Sequence, residues 1–232
     1  MQTKGNVMKH VPGRHNNFIW LLATLVALLF ASALSAQLEL RGAERLVNIS
    51  LLLTVIIAVW ALHEVRGGWV HPRNLVPTVV VLLMIVDSAI EGDALAAAQL
   101  FLMLIFFAVT IYMAWQQVMF TGQITRNTIY GAVCIYILIG LLFAFAYLIV
   151  EYHFPGSMNG LQKGSWQENL DNLIYYSMIT LTTVGYGDIS PAAPLTRFLA
   201  YMESGIGIFY TTVLVASLIG MRLSEYKPQN PQ

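Results

Sequence analysis

The residues with the clearest chemical potential form one short run, residues 180–188, which reads Thr-Leu-Thr-Thr-Val-Gly-Tyr-Gly-Asp. Backbone carbonyls can replace the water oxygens around a permeating cation when several of them line one side of a chain. That arrangement requires backbone angles that alternate in hand, and Gly185 and Gly187 can take the left-handed conformation without steric cost. Val184 and Tyr186 would then point away from the axis. The run therefore predicts an ion-coordinating backbone loop.

This run resembles the selectivity filter of potassium channels, in which four such loops surround the ion. The filter residues that the resemblance implies are Thr183, Val184, Gly185, Tyr186 and Gly187, with K⁺ bound at the first four. Thr182 would support the filter and Asp188 would close its outer mouth. One chain carries one loop, so a homotetramer is implied. K⁺ is expected as the permeant ion, with no organic cofactor.

The composition is that of a membrane protein. The chain has 232 residues, of which 57% are hydrophobic and 10% charged, and its mean hydropathy is +0.67. These values indicate several membrane spans, with the lipid bilayer as a partner. The formal net charge is zero, which gives no reason to expect a nucleic-acid partner. The single cysteine, Cys134, lies in an apolar run and is expected to pack in the interior.

Six apolar runs predict an all-α membrane protein with six transmembrane helices and one re-entrant pore helix. They are residues 18–36, 46–62, 75–90, 95–115, 128–150 and 195–221. The first run also resembles a secretory signal ending at residues 31–33, but its length without a charge favours a retained helix. The predicted domains are a cytoplasmic tail (1–17), a four-helix transmembrane domain (18–115), a cytoplasmic linker (116–127), the pore domain (128–222) and a second cytoplasmic tail (223–232).

The basic residues predict the orientation. Six spans leave both termini on one side of the membrane, and eight of the 12 Lys and Arg residues lie on that side. Because cytoplasmic loops carry the excess of Lys and Arg, both termini are predicted to be cytoplasmic in the plasma (inner) membrane. The filter then opens to the outside.

A short helix is predicted before the filter. Residues 165–168, Ser-Trp-Gln-Glu, form a capping box that would start the helix, and it would run to about Leu181. This length is too short to cross a bilayer, so a re-entrant pore helix buried in protein is expected. Its C-terminal end would carry partial negative charge and favour a cation. Tyr175 and Tyr176 are placed to form an aromatic cuff beside Tyr186, and simple packing of the two rings is an alternative that is compatible with the cuff.

The order of outer helix, pore helix, filter and inner helix over residues 125–223 resembles the pore domain of the tetrameric potassium channels, including simple bacterial members. Gly207 occupies the position of their inner-helix hinge glycine, and Gly205 lies close to it. A hinge and close packing on the pore helix both remain open as explanations of these glycines. Some bacterial members place a glutamate that pairs with the filter aspartate where this chain has Ile179, so that pairing is not expected.

Two acidic residues of the pore domain are candidate supports of the filter. Glu151 resembles a glutamate that braces the pore loop in voltage-gated relatives, although a solvated helix end is equally compatible with its position. Glu203 lies inside the sixth span, where a carboxylate is costly. It is expected to hydrogen-bond behind the filter to Thr180 or Thr182, and a protonated form is one alternative. One face of the same helix is expected to line the cavity, namely Ile208, Thr211, Val215 and Ile219.

Six spans with the pore in the last two are also typical of voltage-gated channels. A voltage sensor needs several Lys or Arg in its fourth helix, and none occurs between Arg73 and Arg126. The sequence resembles bacterial six-helix ion-channel proteins and predicts a passive potassium channel that is not gated by a charged fourth helix. A non-selective cation channel and a non-conducting or regulatory subunit are the alternatives. An enzyme is not expected, because the apolar runs contain no nucleophile motif and no paired carboxylates.

Overall fold

The computed structural model describes residues 17–38, 43–62, 93–119, 125–161, 164 and 166–225. Within these ranges the helices are α1 (Asn17–Leu38), α2 (Ala43–Leu62), α3 (Asp93–Met119), α4 (Arg126–His153), α5 (Trp166–Leu181) and α6 (Pro194–Glu225). Two short strands are β1 (Met158–Asn159) and β2 (Ser190–Pro191). The third predicted span, residues 75–90, and Ser165, the predicted N-cap of the pore helix, lie outside the described residues.

Helix α4 lies at the centre of the described fold. It packs against α1, α3, α5 and α6, because apolar side chains surround it on several sides. The largest of its fully buried side chains are Tyr147, Phe145, Ile135 and Leu138. Helix α1 also packs against α2 and α5. Helices α1 and α3 therefore lie against the outer helix of their own chain.

The ends of α4 follow from its local sequence. Thr125 is the N-cap, and its hydroxyl accepts a hydrogen bond from the backbone N–H of Thr128 at 3.3 Å. The Thr128 hydroxyl accepts one in return from the Thr125 N–H at 3.3 Å. The helix ends at His153, because Phe154 has non-helical backbone angles and the following Pro155 cannot donate to the helical ladder.

A two-stranded antiparallel sheet joins the loop after α4 to the segment after the filter. Met158 of β1 lies opposite Pro191 of β2. Beside this pair, the Ser157 carbonyl accepts hydrogen bonds from the Ala192 N–H and the Thr196 hydroxyl, each at 2.8 Å. These contacts fix the point at which α6 begins, and the proline at its first position needs no N–H partner there.

Three helices within the described ranges are long and apolar enough to cross a membrane: Ala96–Val118, Arg126–His153 and Pro194–Ser217. Shorter apolar stretches cover Phe18–Leu34 in α1 and Ile49–Ala61 in α2. The helical membrane character predicted from the sequence is thereby confirmed. The chain buries 61% of the apolar window of α4 but only 11% of that of α6, so α6 leaves most of its apolar surface uncovered.

Candidate ion pathway

The backbone of the predicted filter alternates between positive φ, the left-handed region, and φ that is not positive. Thr183, Gly185 and Gly187 have φ angles of +61°, +53° and +83°, whereas Val184 and Tyr186 between them do not have positive φ. This alternation allows successive carbonyls to point to one side, as ion coordination needs. The glycines take the conformation freely, but it costs the β-branched Thr183 about 1–3 kcal/mol. Nothing in the sequence indicates this backbone angle, because threonine disfavours it.

The last turn of α5 holds the first residues of the filter. The Ile179 carbonyl accepts hydrogen bonds from the N–H groups of Val184 at 2.8 Å and Gly185 at 3.2 Å. The Thr180 carbonyl accepts one from the Thr183 N–H at 3.0 Å. Carbonyls at a helix end lack partners within the helix, so the filter satisfies them. The position of α5 therefore determines the position of the filter backbone.

The outer part of the filter is open within one chain. The side chains of Val184 and Tyr186 are 53% and 74% exposed. No cluster of His, Cys, Asp or Glu that could hold a metal ion occurs among the described residues. The candidate ligands for an ion in this segment are therefore the backbone carbonyls and the hydroxyl of Thr183.

Tyr175 and Tyr176 contact different parts of the structure. The Tyr175 hydroxyl donates to Asp188 Oδ2 at 2.9 Å, and this hydrogen bond raises the pKa of the Tyr175 phenol above its ordinary value. Tyr176 is buried and packs edge-on against Tyr147, with ring centroids 5.1 Å apart. Within the chain the Tyr176 ring packs against α4, which is the simple packing that the sequence also allowed. The cuff beside Tyr186 stays a prediction.

Glu151 holds the loop that follows α4. Its Oε1 accepts a hydrogen bond from the Gly156 N–H at 2.7 Å, and its Oε2 accepts one from the Met158 N–H at 2.9 Å. Because Met158 begins β1, the carboxylate also supports the strand that pairs beyond the filter. The sequence left two alternatives for Glu151, a brace of the loop and a solvated helix end. The two contacts are those of a brace. The three residues are called the outer brace below.

Glu203 is fully buried and joins three helices. The Tyr147 hydroxyl of α4 lies 2.8 Å from Glu203 Oε2, and the Ser177 hydroxyl of α5 contacts Glu203 Oε1. Ser177 Oγ also lies 2.6 Å from the carbonyl oxygen of Gly140 in α4. These four residues form the buried acid cluster. The sequence did not predict roles for Tyr147, Ser177 or Gly140. A tyrosine within a span and a serine on α5 are nevertheless suitable partners for an intramembrane acid.

The predicted partners of Glu203, Thr180 and Thr182, are wrong. The Thr182 hydroxyl donates to the Met178 carbonyl of its own helix at 2.7 Å. The neighbour of Glu203, Ser204, is the residue that reaches Thr180, and its hydroxyl donates to the Thr180 carbonyl at 3.3 Å. Ser204 on α6 lies opposite Thr180 on α5. Glu203, the residue before Ser204, lies opposite Ser177, which is about one helical turn before Thr180 on α5.

Gly207 lets α6 approach the end of α5. A Cβ at this position would collide with the backbone carbonyl of Leu181, whereas a Cβ at Gly205 would meet nothing within 4 Å. The Tyr136 hydroxyl donates to the same Leu181 carbonyl at 3.2 Å. Close packing therefore accounts for Gly207, while α6 itself continues unbroken through both glycines.

The predicted cavity-lining residues lie on the uncovered part of α6. Ile208 and Val215 are 54% and 53% exposed, and Thr211 is also exposed. The Thr211 hydroxyl donates to the Gly207 carbonyl at 2.9 Å. Phe209, on a different face, is 73% exposed, so the cavity face stays a prediction. The side chain of Ile219 lies outside the described part of the chain.

Residues 133–223 match a protein family described as an ion channel. This segment begins inside α4, includes α5 and residues 183–187, and ends inside α6. It is less than half of the chain. Together with the three long apolar helices, the match indicates a membrane protein with an ion-channel segment and not an enzyme. The same segment contains the alternating backbone and the buried acid cluster.

Two potassium channels are similar to part of the chain. A "Voltage-gated potassium channel" of Aeropyrum pernix is 32% identical over 93 residues, which are 40% of this chain and 28% of the relative. A "Two pore potassium channel c" of Oryza sativa subsp. japonica is 27% identical over 85 residues, which are 36% of this chain and 19% of the relative. The chain thus spans under a third of the length of each. No solved structure matches the chain significantly.

Proposed function

We propose that this chain is a potassium-selective channel that conducts K⁺ passively through a homotetrameric pore. Four copies of the filter would surround the axis, with K⁺ held by Thr183, Val184, Gly185 and Tyr186. The observation that carries the proposal is the alternating backbone over residues 183–187, inside the segment that matches the ion-channel family. The two relatives named as potassium channels support the choice of ion.

Two features support assembly from four copies. Only 11% of the apolar window of α6 is buried within the chain. Val184 and Tyr186, which would wedge the filter against its surroundings, are also more than half exposed. Neighbouring subunits would cover both surfaces. One chain supplies one loop, and identical copies close into a ring by cyclic symmetry.

The proposed topology has six spans, cytoplasmic termini and a filter that faces the outside of the plasma membrane. Residues 18–115 would form a scaffold beside the pore domain, residues 128–222. One relative is named a voltage-gated channel, but this chain has no Lys or Arg between Arg73 and Arg126. Movement of gating charges in a fourth helix is therefore not part of the proposal.

Ion binding in the filter can be tested without an open gate. A ligand that binds the folded tetramer stabilises it by mass action, so K⁺ should raise the thermal midpoint of the detergent-solubilised protein above its value in Na⁺. Gly185→Ala should abolish the K⁺ effect, because it strains a backbone position with φ +53°. Gly205→Ala is the control and should retain it, since a Cβ there meets nothing within 4 Å. Equal midpoints of the unmodified protein in K⁺ and Na⁺ would contradict the proposal.

A further inference from the structure

The contacts of the buried acid cluster require more protons than its two hydroxyl groups supply. Ser177 Oγ contacts both the Gly140 carbonyl, at 2.6 Å, and Glu203 Oε1. Tyr147 Oη contacts Glu203 Oε2 at 2.8 Å. A carbonyl only accepts, and each hydroxyl has one proton to donate. Two hydroxyl protons cannot serve three contacts, so a third proton must lie on Glu203.

The surroundings of Glu203 also disfavour a charge. Its side chain is fully buried, and it forms no ion pair with any residue in the described ranges. The titratable side chains near it are the phenols of Tyr136, Tyr147 and Tyr176, which offer no positive charge. An isolated carboxylate in such a place costs several kcal/mol, whereas a neutral acid with hydrogen-bond partners does not.

The cluster lies next to the contacts that hold the filter. On α6, Glu203 reaches Ser177 and the adjacent Ser204 reaches the Thr180 carbonyl at 3.3 Å. The same Thr180 carbonyl accepts the Thr183 N–H at 3.0 Å. A shift of α5 relative to α6 would therefore move the first residue of the filter.

We propose that Glu203 is a neutral carboxylic acid that donates its proton to Ser177 and thereby positions the pore helix, and with it the filter, against the inner helix. Ser177 then donates to the Gly140 carbonyl and Tyr147 donates to Glu203, so that every contact has one proton. The positioning role rests on the proposed channel function, whereas the protonation state does not. Glu203 touches no ion in this arrangement and acts through the pore helix.

Infrared spectroscopy of the purified protein in lipid at neutral pH tests the protonation state. The spectrum of the unmodified protein minus that of Glu203→Gln should contain the C=O band of a carboxylic acid. Glu151→Gln is the matched control, because both oxygens of Glu151 accept N–H groups, and its difference spectrum should contain carboxylate bands alone. Carboxylate bands assigned to Glu203 would overturn the proposal.

Two substitutions test the positioning role. The amide of Glu203→Gln can donate to Ser177 and accept from Tyr147, whereas Glu203→Leu has a similar volume and no hydrogen bond. The Gln variant should keep the tetramer and its K⁺-dependent thermal midpoint. The Leu variant should assemble poorly or need about tenfold more K⁺ for the same midpoint, which is the effect of losing one buried hydrogen bond.

The outcomes separate this inference from the channel proposal. If Gln and Leu behave alike, in tetramer yield and in K⁺ response, the hydrogen bonds of Glu203 do not position the pore helix and the inference is overturned. If the unmodified protein shows no K⁺ response, the channel proposal fails. In that case the infrared bands and the tetramer yields of the two variants still decide whether a neutral Glu203 joins the helices.

Discussion

The outer brace and the buried acid cluster each contain one glutamate, and the two glutamates have different partners. Glu151 faces two backbone N–H groups at 2.7 and 2.9 Å, so both of its oxygens must accept. Glu203 faces the hydroxyls of Tyr147 and Ser177, and Ser177 can give its proton to a carbonyl instead. The first acid therefore has donors at both oxygens, whereas the second has fewer protons around it than contacts and, in our proposal, supplies the missing proton itself. The hydrogen-bond partners of a glutamate, and not its residue type, determine whether its carboxyl group carries a proton.

Burial separates the two regions as well. Glu151 lies at the end of α4 and is partly exposed, whereas Glu203 is 0% exposed. A hydrogen bond broken near the surface is replaced by water, but a buried group left without a partner bears the full cost of its desolvation. Substitutions that leave a buried polar group without a partner behind the filter should therefore cost more than substitutions in the outer brace.

The largest effect is expected at the closest approach of the two helices. Gly207→Ala places a methyl group against the backbone carbonyl of Leu181, which cannot move without moving the end of the pore helix. The free energy of unfolding should fall by about 3 kcal/mol, measured by denaturation of the tetramer in detergent. Gly205→Ala is the control and should be neutral or stabilise by up to about 1 kcal/mol. Equal behaviour of the two variants would contradict the packing assigned to Gly207.

The next effect concerns the serine of the buried acid cluster. Ser177→Ala removes the partner of the Glu203 proton and should lower the free energy of unfolding by about 2 kcal/mol. Ser204→Ala removes a single hydrogen bond of 3.3 Å to the Thr180 carbonyl and should cost about 0.6 kcal/mol, a typical value between membrane helices. If Ser204→Ala lowers the free energy of unfolding more than Ser177→Ala does, the role of Ser177 as the acceptor of the Glu203 proton is contradicted.

The same substitution at the two acids gives the sharpest contrast. Glu151→Gln turns one oxygen that accepts an N–H into an NH₂ group, which cannot accept, and should cost about 1 kcal/mol. Glu203→Gln keeps all of its contacts and should change the free energy of unfolding by less than that. Parallel denaturation curves of the two variants measure the difference. If Glu203→Gln is the more damaging variant, the neutral acid is excluded.

The smallest effect is expected for the exposed hydrogen bond at the outer mouth. Tyr175→Phe removes the donor to Asp188 and should lower the thermal midpoint less than Glu151→Gln does. Because this hydrogen bond raises the pKa of Tyr175 in the folded state, its contribution is present below the ordinary phenol pKa of about 10 and is lost as the pH rises through the raised value. Tyr201→Phe, on the exposed part of α6, removes a phenol away from Asp188 and is the control for the substitution itself.

The positive φ angles at residues 185 and 187 and the long helices could be predicted because their signals are local. Helix α4 covers Arg126–His153, and residues 128–150 within it form an apolar run without a charged residue. Glycine at 185 and 187 likewise indicates positive φ by residue type alone. The sequence did not predict the capping box of Thr125 and Thr128, because the usual pattern has Glu or Gln at the later position.

The contacts of Glu203 could not be predicted, because they depend on how three helices pack. The position of Glu203 inside an apolar span predicted a functional or structural role for it, but not its partners. Its partners Ser177 and Tyr147 are 26 and 56 positions away in the sequence, and a shift of one helical turn would have placed Thr180 opposite it. The positive φ of Thr183 is also a tertiary property, since the end of α5 holds a conformation that threonine avoids.

The reversal potential of the purified protein in a planar bilayer, with K⁺ on one side and Na⁺ on the other, tests the central claim most directly. A potassium-selective filter predicts a reversal near the potassium equilibrium potential, and Gly185→Ala should abolish that selectivity while Gly205→Ala preserves it. A reversal near zero with robust current in the unmodified protein would contradict potassium selectivity.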